Sequence, residues 1–200
     1  IENLQSQGIK RIILCTGYLS EYIETRASRW SQSTEIIISK EEQKLDTGGA
    51  IKNALKHLES DVFIALNGDS YCQFDLSKLV SHHFSKQALI TGKLMDSIAA
   101  ESAFHSVKDL AFITGLLSSI DVILGMPIEE VVTRLPMDET INKALVEHAG
   151  ILGELLILCS DYIVGNGQNL KQMMETYDIS AEFIQKEFVN ASNWCKSLNI

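Results

Sequence analysis

Two short stretches bring together residue types suited to phosphate chemistry. Val62, Phe63, Ile64, Ala65 and Leu66 form an apolar run that stops at Asn67-Gly68-Asp69-Ser70. Such a run reads as a buried parallel strand, and open α/β sheets collect ligands just past the carboxyl ends of these strands. Gly68 permits a tight turn or the close approach of a ligand. Asp69 sets a carboxylate at the strand tip, where a hard cation such as Mg²⁺ can sit. The same four residues are common turn formers, and a plain turn is the competing reading. The second stretch is Leu45-Asp46-Thr47-Gly48-Gly49-Ala50-Ile51. Two glycines before a helix expose backbone N–H groups, and a helix N-terminus favours anions. Glycines also stand there for geometry alone. Taken together, the two stretches form a constellation: an anion- or base-contacting loop beside a metal-holding carboxylate.

The elements that must position these residues follow from periodicity. Residues 1–8 read as the end of a helix with Gly8 at its C-cap. Ile12, Ile13 and Leu14 mark a strand, and Thr16-Gly17-Tyr18 turns the chain. Ser20 is the expected N-cap of a helix with Tyr22, Ile23 and Ala27 apolar and with Glu21 and Glu24 near its positive end. Residues 35–39 are the next strand, followed by a polar loop, the glycine pair and a helix. The run 62–66 is the third strand, and Asp75 caps a helix through Leu76, Leu79, Val80 and Phe84. Strands alternating with helices imply βαβ units and a parallel sheet. Three strands leave its edges exposed.

From about Thr91 no further strand pattern appears. Helices are expected at 93–101, 107–124, 127–134, 138–147, 151–163, 168–177 and 180–197, with Asp138 and Ser180 as N-caps. Phe183, Ile184, Phe188, Ala191 and Cys195 mark one face of the last. The expected fold is therefore α/β, a partial Rossmann-like parallel sheet of three strands over residues 1–91, followed by an all-α helical unit over 92–200.

Composition narrows the function. A 200-residue chain that is 46% hydrophobic has ample material for a core. Its apolar runs fall far short of the roughly 20 residues that span a bilayer, and its start shows no signal-peptide pattern. Opening at Ile1 rather than Met, it reads as a fragment or a processed chain. Cys15, Cys72, Cys159 and Cys195 are scattered without a CxxC, which fits a reducing cytoplasm and small core thiols. The net charge is −9, of which residues 92–200 carry −8 (seven Lys/Arg against fifteen Asp/Glu). An acidic second half argues against a nucleic-acid partner.

IKRIILCTGYLSEYIE, ISKEEQKLDTGGAIKNAL and VFIALNGDSYCQFDLSKLVSHH, in this order and spacing, resemble the middle of a sugar-1-phosphate nucleotidyltransferase of the heptose- or mannose-1-phosphate guanylyltransferase type. The resemblance covers residues 1–91. It implies that Thr47, Gly48 and Gly49 lie near the nucleotide base or sugar and that Asp69 ligates Mg²⁺ bound to the phosphates. The implied reaction is attack of a sugar-1-phosphate on the α-phosphate of an NTP with release of pyrophosphate, driven by positioning and charge neutralisation. Two departures stand out. The family's Gly-rich loop with its Arg and Lys does not precede Ile1, and the second metal-binding Asp and sugar-binding half do not follow residue 91. Asp46 also replaces a frequent Gly, where its carboxylate would repel phosphate or accept from a guanine amide.

GKLMDSIAAES, KDLAFITGLLSSIDVILGMPIEEVVTRLP and INKALVEHAGILGELLIL resemble the C-terminal part of an HDOD domain, as found after EAL domains in bacterial signalling proteins. That family is a helical, generally non-enzymatic relative of the HD phosphohydrolases. Where the hydrolases place a metal-binding His-Asp pair, this chain has Ser118-Ser119. Asp121 reads as a surface or capping residue, and His105 and His148 as structural or surface residues. His82-His83 diverge by about 100° on a helix and chelate poorly. Met173-Met174 read as core, and Trp30 and Trp194 stand alone.

The leading expectation is a nucleotidyltransferase-derived nucleotide or sugar-phosphate site, inactive in this chain, joined to a helical signalling module. The alternatives are a non-enzymatic HDOD-type module that binds a protein partner through its helical half, and an artificial chimera of two fragments.

Overall fold

The computed structural model describes residues 1–18, 20–30, 34–60, 62–68 and 74–198, apart from the side chain of Gln168. The chain divides into two compact units, Ile1–Leu76 and Ser77–Ile200.

In the first unit α1 (Glu2–Ser6) leads into β1 (Arg11–Thr16), α2 (Ser20–Trp30), β2 (Glu35–Lys40) and α3 (Asp46–Ala54). Gly8, with φ +87°, takes the left-handed conformation that lets the chain leave α1. β1 and β2 pair in parallel from Arg11↔Glu35 to Thr16↔Lys40. Successive side chains of a strand point to opposite faces, and the contacts sort the helices accordingly. Cys15 donates its thiol to Ala50 O (3.7 Å), and Asn53 Nδ2 donates to Ser39 Oγ (3.1 Å), so α3 lies on the face shared by the paired residues Cys15 and Ser39. Lys40 pairs with Glu24 of α2 at 3.4 Å on the other face. The inward stripe of α2 is Ile23, Ala27 and Trp30, whereas Tyr22 is exposed and carries the Arg26 guanidinium 4.1 Å above its ring.

The sequence predicts a third strand, and the structure corrects this. Residues 62–67 adopt no regular element, and Val62, Phe63, Ile64 and Leu66 are 38–50% exposed. Strand propensity reflects a fit to a half-buried pleated surface. Without a ladder partner among the described residues this run has no such surface, so the sheet has two strands there.

The second unit is helical throughout its described residues: α4 (Leu76–Glu101), α5 (Lys108–Leu117), α6 (Ile120–Leu124), α7 (Ile128–Arg134), α8 (Glu139–Val146), α9 (Gly150–Val164), α10 (Gly167–Thr176) and α11 (Ala181–Ser197), with a 3₁₀ turn at His105–Val107. α4 runs unbroken through residue 91, so the compositional shift falls inside one helix. Asp138 caps α8, its carboxylate accepting from Thr140 N (2.8 Å), and Ser180 caps α11, its hydroxyl accepting from Phe183 N (3.1 Å). The helix expected over 107–124 is two helices, broken at Ser118-Ser119. There the Ser118 hydroxyl donates to Gly115 O (2.7 Å), a local bond that competes with the backbone pattern.

α9 is apolar almost all round and therefore central. Its Leu152, Leu155 and Leu158 are fully buried with Leu94, Met95 and Ile98 of α4, Phe104, and Ile184 of α11. Met173 and Met174 pack against this core, as the sequence suggests. Cys159 is buried in it, and Cys195 is buried elsewhere in the unit. No single helix among the described residues is long and apolar enough to cross a membrane.

α4 and α5 touch backbone to backbone. A Cβ added at Gly115 would lie 2.6 Å from Gly92 Cα and 2.9 Å from Met95 Sδ. Gly115→Ala is therefore expected to destabilise the second unit by roughly 1–3 kcal/mol, the usual cost of overpacking, measured by urea unfolding monitored through helical circular dichroism.

Candidate functional site

Parallel pairing brings the carboxyl ends of β1 and β2 to one side. The ladder continues one step beyond the sheet, with Glu41 N–H donating to Thr16 O (2.8 Å). The loops after the two strands then meet. A Cβ on Gly17 would sit 3.6 Å from Glu41 Oε2, and the same oxygen accepts from Leu45 N (3.2 Å) at the start of α3. Asn53, the second-last residue of α3, donates to Lys40 O (3.3 Å). These bonds set the first turn of α3 beside the strand tips.

That turn holds the three predicted nucleotide-binding residues. Thr47 and Gly48 are exposed and Gly49 is half-buried. The two glycines differ in kind. A Cβ at Gly49 would lie 2.8 Å from Leu45 Cβ, whereas one at Gly48 meets nothing within 4 Å. Gly49 is thus fixed by internal packing, and Gly48 leaves open space outside the protein. Asp46 opens the helix with φ +55°, a left-handed conformation that aspartate tolerates and glycine adopts without cost.

The electrostatics of the turn are mixed. α3 offers its positive end, but Glu41 already bonds to it, and Asp46 adds a second carboxylate, paired with Lys44 at 3.6 Å. Two carboxylates disfavour a phosphate and suit the N–H groups of a base or the hydroxyls of a sugar. Cys15 lies under the helix. Partial burial of its thiol pushes its pKa up, and the Glu41 charge adds to the rise.

Asp69 lies outside the described residues. Asn67 and Gly68 before it are exposed, with Gly68 in a turn. Among the described residues no group of three His, Cys, Asp or Glu side chains could hold a metal ion.

The sequence model of the nucleotidyl transferase family matches residues 1–104, just over half of the chain. The chain belongs to the nucleotidyl transferase family. Among curated relatives, a D-glycero-alpha-D-manno-heptose 1-phosphate guanylyltransferase of Aneurinibacillus thermoaerophilus is 39% identical over 88 residues, covering 44% of this chain and 38% of the relative. The enzyme of the same name from Campylobacter jejuni is 41% identical over 78 residues, covering 39% and 35%. A different relative, the cyclic di-GMP phosphodiesterase CdgJ of Vibrio cholerae, is 26% identical over 153 residues, covering 75% of this chain and 34% of that protein. A match over three quarters of the chain extends well into the helical half and accords with the second resemblance. This nucleotidyl transferase family member spans little more than a third of the length of these relatives. No solved structure matches it.

In the helical unit the structure assembles residues that the sequence leaves apart. Ser118, Ser119, Asp121 and His148 border one cavity of about 300 Å³. His82 and His83 are exposed, and His105 Nδ1 lies 3.3 Å from Ala100 O at the surface. Trp194 meets Phe112 edge-on at 6.1 Å rather than offering an open stacking face.

Two outcomes test the turn. Gly49→Ala is expected to lower the thermal midpoint of the first unit through its clash with Leu45. Gly48→Ala is expected to leave it unchanged or raise it, since alanine favours helix by about 1 kcal/mol over glycine. Cys15 is expected to react with a disulfide reagent at pH 8 more slowly than an unhindered thiol. Glu41→Gln removes a charge that opposes the thiolate and should speed the reaction, followed peptide by peptide by mass spectrometry.

Proposed function

We propose that the first unit carries the base- and sugar-contacting part of a sugar-1-phosphate guanylyltransferase-type site. Thr47, Gly48 and Gly49 contact the nucleoside, and Asp69 supplies a carboxylate to Mg²⁺. The observation that carries this reading is the open face of Gly48, in the first turn of α3 beside the carboxyl ends of two parallel strands. The names of the guanylyltransferase relatives support a guanine nucleotide. The two carboxylates at the turn favour recognition of the nucleoside over its phosphates. Bound Mg²⁺ would neutralise phosphate charge, since it is usually held by one or two carboxylates together with substrate phosphates.

The 200 residues contain no Gly-rich loop with an Arg and a Lys, so in this reading the chain by itself binds nucleotide without turning it over. The proposed division is a nucleotidyltransferase-like part over 1–91 and an HDOD-like helical part over 92–200. A second reading, a non-enzymatic signalling module acting through the helical part, is favoured by the breadth of the match to the cyclic di-GMP phosphodiesterase.

Calorimetric titration of GTP with Mg²⁺ tests the first reading. Binding is expected, with at least about a tenfold loss in Asp69→Ala and a loss of similar size in Gly48→Ala, which leaves the fold intact. No pyrophosphate should appear with mannose-1-phosphate. Absent GTP binding, or binding unchanged in both variants, rejects the site. Sustained pyrophosphate release rejects the claim of inactivity.

A further inference from the structure

The cavity in the helical unit has the makings of a ligand site that is independent of the nucleotide turn. It measures about 300 Å³ and lies among α4, the Ser118-Ser119 break, the start of α7, the loop before α9, and α9 itself. Ile128, Leu145 and Leu156 supply apolar wall. Five polar side chains border it without a partner. Among the described residues Gln87, Ser119, Asp121, His148 and Ser160 make no side-chain hydrogen bond or ion pair, although Ser119 is only 8% exposed. Buried hydroxyls such as that of Ser119 are usually paired, whereas Gln87, Asp121 and Ser160 are half-buried and His148 is exposed at the cavity mouth.

Two further hydroxyls are oriented by their own bonds. Thr91 donates to Gln87 O (2.9 Å) and Ser118 to Gly115 O (2.7 Å), which leaves their lone pairs as acceptors. His148 is held in place from below. Its φ is +53°, in the left-handed region, and α9 presses on its backbone so closely that a Cβ at Gly153 would lie 2.4 Å from its carbonyl carbon. A strained residue fixed by packing at a cavity is a mark of preorganisation.

The lining chemistry selects the ligand. Among the described residues Asp121 is the one carboxylate on the cavity, and neither lysine nor arginine borders it. The surrounding sequence is strongly acidic, so phosphates and other anions meet no compensating charge. Hydroxyl, amide and imidazole groups in this number match a molecule with several hydroxyls of its own. A carboxylate among them matches a single ammonium. We propose that this cavity binds a monosaccharide-sized polyhydroxylated amine, with Asp121 receiving the ammonium and Ser119, Ser160, Gln87 and His148 hydrogen-bonding the hydroxyls.

Calorimetric titration of the full chain with D-glucosamine, D-glucose and D-glucose 6-phosphate decides this. Glucosamine is expected to bind, glucose at least fivefold more weakly, and glucose 6-phosphate not at all. Asp121→Asn should bring glucosamine down to the level of glucose. Ser119→Ala should weaken both, while helical circular dichroism stays unchanged. If Asp121→Asn does not fold, His148→Gln takes its place and should weaken both neutral and cationic sugars. No binding of glucosamine, equal binding of glucose 6-phosphate, or undiminished binding in the folded variants overturns the proposal. GTP binding at the first unit is a separate readout, and its loss or survival does not bear on this cavity.

Discussion

Six residue pairs of parallel ladder organise the first unit. Because Arg11↔Glu35 through Thr16↔Lys40 run in the same direction, both strand ends open on one side, and Gly17, Glu41 and the first turn of α3 meet there. Had the strands paired antiparallel, Gly17 and Glu41 would lie at opposite ends of the sheet. The ladder also fixes which face each helix takes, since Cys15 and Ser39 must point together toward α3. Arg11 clasps the far end, pairing with Glu35 across the ladder and with Glu59 beyond α3. Two strands offer little area for burial, and these polar clasps take up part of the role that a wider sheet gives to its core.

The second unit rests on a different principle. α9 is apolar almost all round, with Glu154 and Asp161 among its few polar residues, so other helices surround it, and the space they leave is set by small residues. Gly92 and Gly115 bring α4 and α5 into backbone contact, and Gly153 lets α9 press on the loop that carries His148. Close approach in one place and a cavity in another are two results of the same packing. The apolar wall of the cavity, Leu145 and Leu156, is continuous with the core, so its shape is anchored by the most deeply buried part of the unit.

Much of this architecture is legible in the sequence. The caps at Asp138 and Ser180 are read correctly because a side-chain oxygen and a nearby N–H are local partners. The helices of the second half follow from apolar spacing for the same reason. The run 62–66 misleads because burial is not local: an apolar pentapeptide fits a strand only where another strand stands beside it. The break at Ser118-Ser119 escapes because one serine hydroxyl turning back to Gly115 leaves no mark on periodicity. In the candidate turn, spacing identifies Thr47, Gly48 and Gly49, but only three dimensions separate the glycine that packing requires from the one that faces open space. His148 and Asp121 read singly as surface residues. Their common cavity depends on tertiary contacts between α6, α9 and the chain between them.

The exposed run at 62–66 has a consequence for the behaviour of the chain in solution. A five-residue apolar segment without a charge has the composition of an aggregation seed. Asp61 precedes it directly, and Asp69 follows two residues after its polar stop. Charges that bracket such a segment act as gatekeepers, because stacking copies of it would stack the charges too. The carboxylate proposed for a cation would therefore also serve colloidal stability, and the proposed chemistry and the solubility of the chain would depend on the same side chain.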